Sequence, residues 1–129
     1  VIPGRENFYQ EIGQEDGLTV WRISGFLQDV NVPFLKGKMA ELVAHGVKDV
    51  LVDFDGLKAI DSRGLGFLVT LQKELRMREG RLALVHLNAQ FAALLELTKL
   101  NRVFEIFLDK ETAKRSFGGT HLKQPEAPC

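Results

Sequence analysis

The stretch Val50-Leu51-Val52-Asp53-Phe54-Asp55-Gly56-Leu57-Lys58-Ala59-Ile60-Asp61-Ser62-Arg63-Gly64-Leu65-Gly66 decides how this chain folds. Residues 50–54 are short, apolar and β-branched, the pattern of a buried strand. Residues 67–79 contain no Gly or Pro and are rich in Leu, Met, Glu, Lys and Arg, which predicts a helix. Asp61 or Ser62 is then its N-cap. Ser62 falls where unpaired backbone N–H groups and the positive end of the helix dipole point, a place that favours an anion. A phosphate carried on Ser62 itself is one such anion. The same residues also have a plain structural reading, since Asp-Ser is an ordinary cap and Gly-x-Gly an ordinary tight turn. With Ser62 as cap, Leu65 stands where a capping box needs Glu or Gln. Each Gly costs a helix about 1 kcal/mol relative to Ala. Gly64 and Gly66 in the first turn therefore imply that another surface comes close to the backbone.

The rest of the chain sets the frame. Its 129 residues suit one domain. A content of 45% hydrophobic and 26% charged residues is enough for one core. Lys plus Arg and Asp plus Glu each number 17, and a formal net charge of zero argues against a dedicated nucleic-acid binder. The one cysteine, Cys129, leaves no intrachain disulfide, as expected of a reducing cytoplasm. No apolar run nears the ~20 residues of a membrane span, and the opening residues lack a signal-peptide pattern.

Working outward, residues 6–14 are weakly strand-like, Asp16-Gly17 signals a turn, and residues 18–24 alternate apolar and polar. The pair predicts a hairpin that Gly25 ends, with Leu18, Val20, Trp21 and Ile23 inward. Asn31-Val32-Pro33 opens a first helix, with Leu35, Met39, Leu42 and Val43 on one face and His45-Gly46 at its close. After the central unit come a strand over 81–86 and a helix from Ala89 to Leu97 capped by Asn88. A short strand at Ile106-Phe107 and a helix from Asp109 to about Phe117 complete the pattern. Residues 118–129, opened by Gly118-Gly119, are expected to form a disordered tail on a domain spanning 1–117. Strands alternating with helices after a hairpin give an α/β domain. Its small mixed β-sheet is an opening hairpin followed by parallel strands, flanked by about four helices.

The search for chemistry returns mostly absences. His45, His86 and His121 are scattered, and with a lone cysteine they give no metal-ligand spacing. There is no phosphate-cradling loop or dinucleotide fingerprint, so no cofactor is expected. Asp53, Asp55 and Asp61 read as an acidic group around the Ser62 loop, without the further ligands of a calcium loop. No base for Ser62 stands nearby in sequence, so a binding module rather than an enzyme is expected. The helix start Leu65-Gly66-Phe67-Leu68-Val69 is apolar on every side. At least one of Leu65, Phe67 and Val69 should therefore face solvent for a partner.

The decisive stretch resembles the signature of the STAS domain, and in particular that of stand-alone bacterial anti-sigma factor antagonists. Gly25-Phe26-Leu27-Gln28 with Asn31-Val32-Pro33 resembles the family's segment before its first helix. Residues 97–100, 104–107 and the Glu111-x-Ala113 pair resemble its C-terminal part, so roughly residues 6–117 are covered. The resemblance implies a cytoplasmic partner switch. The antagonist binds an anti-sigma factor that is also a serine kinase and is released when that kinase phosphorylates it, and a PP2C-type phosphatase resets it. Ser62 matches the phosphorylated residue. Asp61, Arg63, Gly64, Leu65, Gly66, Phe67, Gln28 and Asn31 match the partner-facing segments, and a monomer or weak dimer is expected. Gln28 stands where the family usually has Asp, and Arg63 where it usually has Ser or Thr. Arg63 either pairs with a phosphate on Ser62 or points into water. The alternative is a STAS scaffold or ligand-sensing module, never phosphorylated, in a larger signalling or transport complex.

Overall fold

The computed structural model describes residues 8–121. Strands β1 (Phe8–Glu15) and β2 (Leu18–Leu27) form the opening hairpin around Asp16-Gly17, both of which have positive φ. A 3-10 turn at Asp29–Asn31 leads into α1 (Val32–Ala44). Then follow β3 (Val50–Asp53), β4 (Leu57–Ile60), α2 (Ser62–Met77), β5 (Leu82–Val85) and α3 (Ala89–Leu97). A second 3-10 turn at Leu100–Arg102, β6 (Glu105–Phe107) and α4 (Lys110–His121) close the described chain. The six-stranded sheet runs β1-β2-β3-β5-β6, antiparallel within the hairpin and parallel beyond it, with β4 also paired to β2.

The long strand β2 organises this sheet because it is covered on both sides. Trp21 and Ile23 face one core with Val50, Val52, Phe67, Leu71 and Phe91, beneath α1, α2 and α3. Leu18 and Val20 face a second core with Leu51, Val85, Ala113 and Phe117, beneath α4. All four expected inward residues are thus buried, two on each face. Trp21 meets Phe67 edge-on at 5.7 Å, and its indole N–H donates to Gln10 Oε1 at 3.0 Å. Burial of aromatics in this way is the main stabilising term of such a core.

Three expectations are corrected. Gly25 does not end β2. With φ +84°, a value that costs glycine little, it marks a bulge, after which Phe26 and Leu27 pair with β4. Strand β4 itself lies in what the sequence presents as a loop. It exists because the end of β2 outruns β3, and the turn at Asp55-Gly56 sets the chain back beside it. The last helix passes through Gly118-Gly119 and runs to His121, because Ala113 and Phe117 already fasten it to the sheet. The rest of the expected tail, 122–129, lies outside the described residues.

Candidate functional site

The site forms where the β2–α1 connection meets the start of α2. Asp61 is the N-cap: its backbone is extended, and Oδ1 accepts the Gly64 N–H at 2.9 Å. Its other oxygen, Oδ2, accepts the Asp29 N–H at 3.0 Å from the neighbouring turn. The Asp61 N–H in turn donates to the Leu27 carbonyl at 3.1 Å. One residue thus caps its own helix and fastens a second segment to it. Arg63 adds an outer tie, with Nη1 3.7 Å from Asp29 Oδ1 across exposed side chains. Arg63 thus points largely into water while pairing loosely with a carboxylate on the adjacent turn.

With Asp61 as cap, Ser62 is the first helical residue and is exposed. Helix geometry places Gly66 and Val69 on the same stripe as Ser62. Gly66 and Val69 are exposed as well, with Val69 at 39%. Val69 meets the expectation that an apolar residue of this helix start faces solvent, and Leu65 is half-buried. The two glycines part company. A Cβ on Gly64 would sit 2.5 Å from the Leu27 carbonyl oxygen, so the surface pressing on it is the domain's own β2. A Cβ on Gly66 would meet nothing within 4 Å. Its outer side is open to a visitor.

The expected partner-facing residues divide accordingly. Ser62, Arg63 and Gly66, with Gln28, Leu65 and Asp61 in part, lie at the surface. Phe67, Asn31 and Gly64 do not. Phe67 is packed on Trp21, and Asn31 is buried with Oδ1 accepting the Gln28 N–H at 3.2 Å. Asn31 makes no side-chain cap to α1 and instead holds the turn closed. These three are buried and support the site from beneath. Sequence reasoning missed Val30, which is 50% exposed on the 3-10 turn that packs against α2. Its only signal is an apolar residue among Gln28, Asp29 and Asn31, outside any periodic pattern.

The acidic group expected around Ser62 is not one group. Strand alternation puts Asp53 on the α4 face with Leu51. There it is 1% exposed, bonded to His86 Nδ1 at 2.8 Å and to the Asp55 N–H at 2.9 Å, with Lys110 at 3.8 Å and Arg22 at 3.9 Å. Among the described residues no cluster of His, Cys, Asp and Glu has the arrangement to hold a metal ion, and no helix is long and apolar enough to cross a membrane.

Comparison with known proteins agrees with this architecture. BtrV of Bordetella bronchiseptica, assigned as an anti-sigma factor antagonist, is 26% identical over 102 residues, which is 79% of this chain and 88% of that one. The crystal structure of an anti-sigma factor antagonist from Mycobacterium paratuberculosis superposes with a TM-score of 0.77 at 20% identity, covering 89% of this chain and 97% of that one. The Bacillus cell fate determinant SpoIIAA in its phosphorylated form superposes with a TM-score of 0.65 at 22% identity, over 84% and 98% of the two chains. A sequence model of the STAS domain matches residues 9–113, from the first strand into the last helix, and the chain belongs to the STAS domain family.

Proposed function

We propose that this chain is an anti-sigma factor antagonist in a partner switch, and that Ser62 is its control point. The unmodified domain docks onto an anti-sigma factor that is also a serine kinase, through the stripe Ser62, Gly66 and Val69 and the adjoining turn at Val30. The kinase moves the γ-phosphoryl group of ATP onto Ser62 Oγ. The bond from that phosphorus to ADP breaks, the hydroxyl proton leaves to a base of the kinase, and the complex separates. A PP2C-type phosphatase hydrolyses the phosphoester and restores the hydroxyl. The domain contributes no catalysis in this reading.

The observation that carries the reading is the division of labour between Asp61 and Ser62. Because Asp61 supplies the cap, the Ser62 hydroxyl is not needed to hold the helix and stands exposed at its first turn. A phosphate there sits at the favourable end of the helix dipole, worth about 0.3–1 kcal/mol to the folded domain. The same charge of about −1.5 to −2 in a docked interface has to be desolvated, which drives release. The phosphorylated SpoIIAA structure supports the reading, since that protein carries the modification on the same fold.

The test uses the anti-sigma factor kinase that this reading requires. Intact-mass measurement after incubation with the kinase and ATP should show one added phosphate, mapped to Ser62. Ser62→Asp should weaken capture by the kinase at least tenfold, about 1.4 kcal/mol. Ser62→Ala should bind like the parent, take no phosphate and cost well under the ~1 kcal/mol of a lost cap. Phosphate at another residue, or Ser62→Asp binding at parental strength, would replace this reading with that of a scaffold.

A further inference from the structure

We propose that Arg63 is a phosphate-operated latch: it holds Asp29 while Ser62 is bare and moves to the phosphate once Ser62 carries one, releasing the turn that bears Gln28 and Val30. The inference rests on Ser62 as the modified residue and adds how that mark reaches a second segment.

Two polar ties between the turn and the start of α2 run through the neighbours of Ser62. One is the ion pair from Arg63 Nη1 to Asp29 Oδ1 at 3.7 Å, between side chains 75% and 66% exposed. A pair so exposed is weak and easily exchanged. The other is the hydrogen bond from the Asp29 N–H to Asp61 Oδ2 at 3.0 Å. A phosphate on Ser62 acts on both. It carries about −1.5 to −2 against the single charge of Asp29, so at equal distance it attracts the guanidinium more strongly. Its three oxygens also match the planar fork of Arg better than one carboxylate oxygen at 3.7 Å does. With Arg63 gone, the Asp29 and Asp61 carboxylates both face the new anion and are repelled by it.

The response is confined because the ends of the turn are fixed. Leu27 and Asn31 are fully buried, the Leu27 carbonyl accepts the Asp61 N–H, and Asn31 Oδ1 holds the Gln28 N–H. Asp29 and Val30 are exposed between these anchors. The phosphate therefore changes the docking surface at two places, its own position and the Val30 turn.

Phosphoserine installed at position 62 during synthesis tests this without any kinase. A phosphorus NMR titration compares the phosphoprotein with its Arg63→Gln form. A cation beside the phosphate favours the dianion, so its second ionisation should lie roughly a few tenths of a pH unit higher in Arg63→Gln. Arg63→Lys should recover part of the difference. Amide exchange at Asp29 and Val30 should quicken on phosphorylation of the parent. In unmodified Arg63→Gln it should rise only slightly, since the Asp29 N–H keeps its bond to Asp61 Oδ2. Superimposable titrations, or Asp29 and Val30 amides indifferent to the phosphate, would overturn the latch. Neither result bears on whether a kinase chooses Ser62, which the mass measurement decides separately.

Discussion

Asp53 and Asp61 close the two strands, β3 and β4, that run in succession beside β2. Asp53 is sealed beneath α4 and collects side-chain nitrogens: His86 on β5's end, Lys110 on α4 and Arg22 on β2. Asp61 collects backbone N–H groups instead, from Gly64 and Asp29, and leaves Ser62 and Arg63 pointing outward. The same side chain at the same edge of the sheet therefore does two jobs. Where a helix covers it, the carboxylate ties the fold together. Where the edge is open, it organises a surface. Acidity at a sheet edge does not distinguish the two, whereas cover does.

The contrast is broken most strongly at Asp53. Asp53→Ala should cost about 2–4 kcal/mol in urea unfolding, because Lys110 and His86 lose an acceptor shielded from water. Binding through the Ser62 surface should be unaffected once the domain is folded. A loss below about 0.5 kcal/mol, the size of an ordinary surface change, would mean that the Asp53 network is no more structural than the open edge.

The paired glycines sharpen the contrast within one turn of helix. Gly64→Ala forces a methyl against the Leu27 carbonyl and should destabilise by about 1–3 kcal/mol. Gly66→Ala meets open space and should stabilise by up to about 1 kcal/mol, while weakening partner capture. Thermal melts of the two variants should move in opposite directions. Melts moving the same way would remove the distinction between an inward and an outward glycine.

The smallest effect lies at the rim of the Asp53 network. Lys114, and after it Lys110, hold the Glu15 carboxyl below its ordinary value of 4.5. A depressed acid stabilises the fold above its unfolded pKa, and that contribution disappears as pH falls through the folded value. Glu15→Gln should therefore flatten the acid limb of a stability curve below about pH 5, by a few tenths of a kcal/mol for so exposed a group. Lys114, raised by Glu15, mirrors this, with its contribution lost as pH climbs beyond 10.5. An unchanged acid limb would confine the network to Asp53 and its immediate partners.

Much of this architecture is legible in the chain because local signals agree with it. The caps Asp61, Asn88 and Asp109 each accept the amide that their spacing implies, at 2.9, 2.7 and 2.7 Å. The apolar runs at 50–53 and 82–85 are central parallel strands. What was not legible depends on distant partners. Four residues, Leu57 to Ile60, become a strand only because β2 is long enough to meet them. Phe67 looked available to a partner because its helix start is apolar all round, and Trp21 on β2 is what takes it. At the site, the motif around Ser62 was readable by resemblance. The gathering of Asp29, Val30 and Arg63 was not, since it needs the turn and the helix to be folded together.

The bond from the Asp29 amide to Asp61 joins positions 32 residues apart. On the proposed reading, its consequence is a requirement placed on the kinase that acts at this edge. A peptide cut from around Ser62 would carry the hydroxyl and the glycines but neither the turn nor a formed helix, for isolated helices of this length are marginal in water. An enzyme that grips both segments reads a conformation rather than a linear motif. Nascent or damaged chains would escape its mark, so the pool of modified molecules would count only those that had completed their fold.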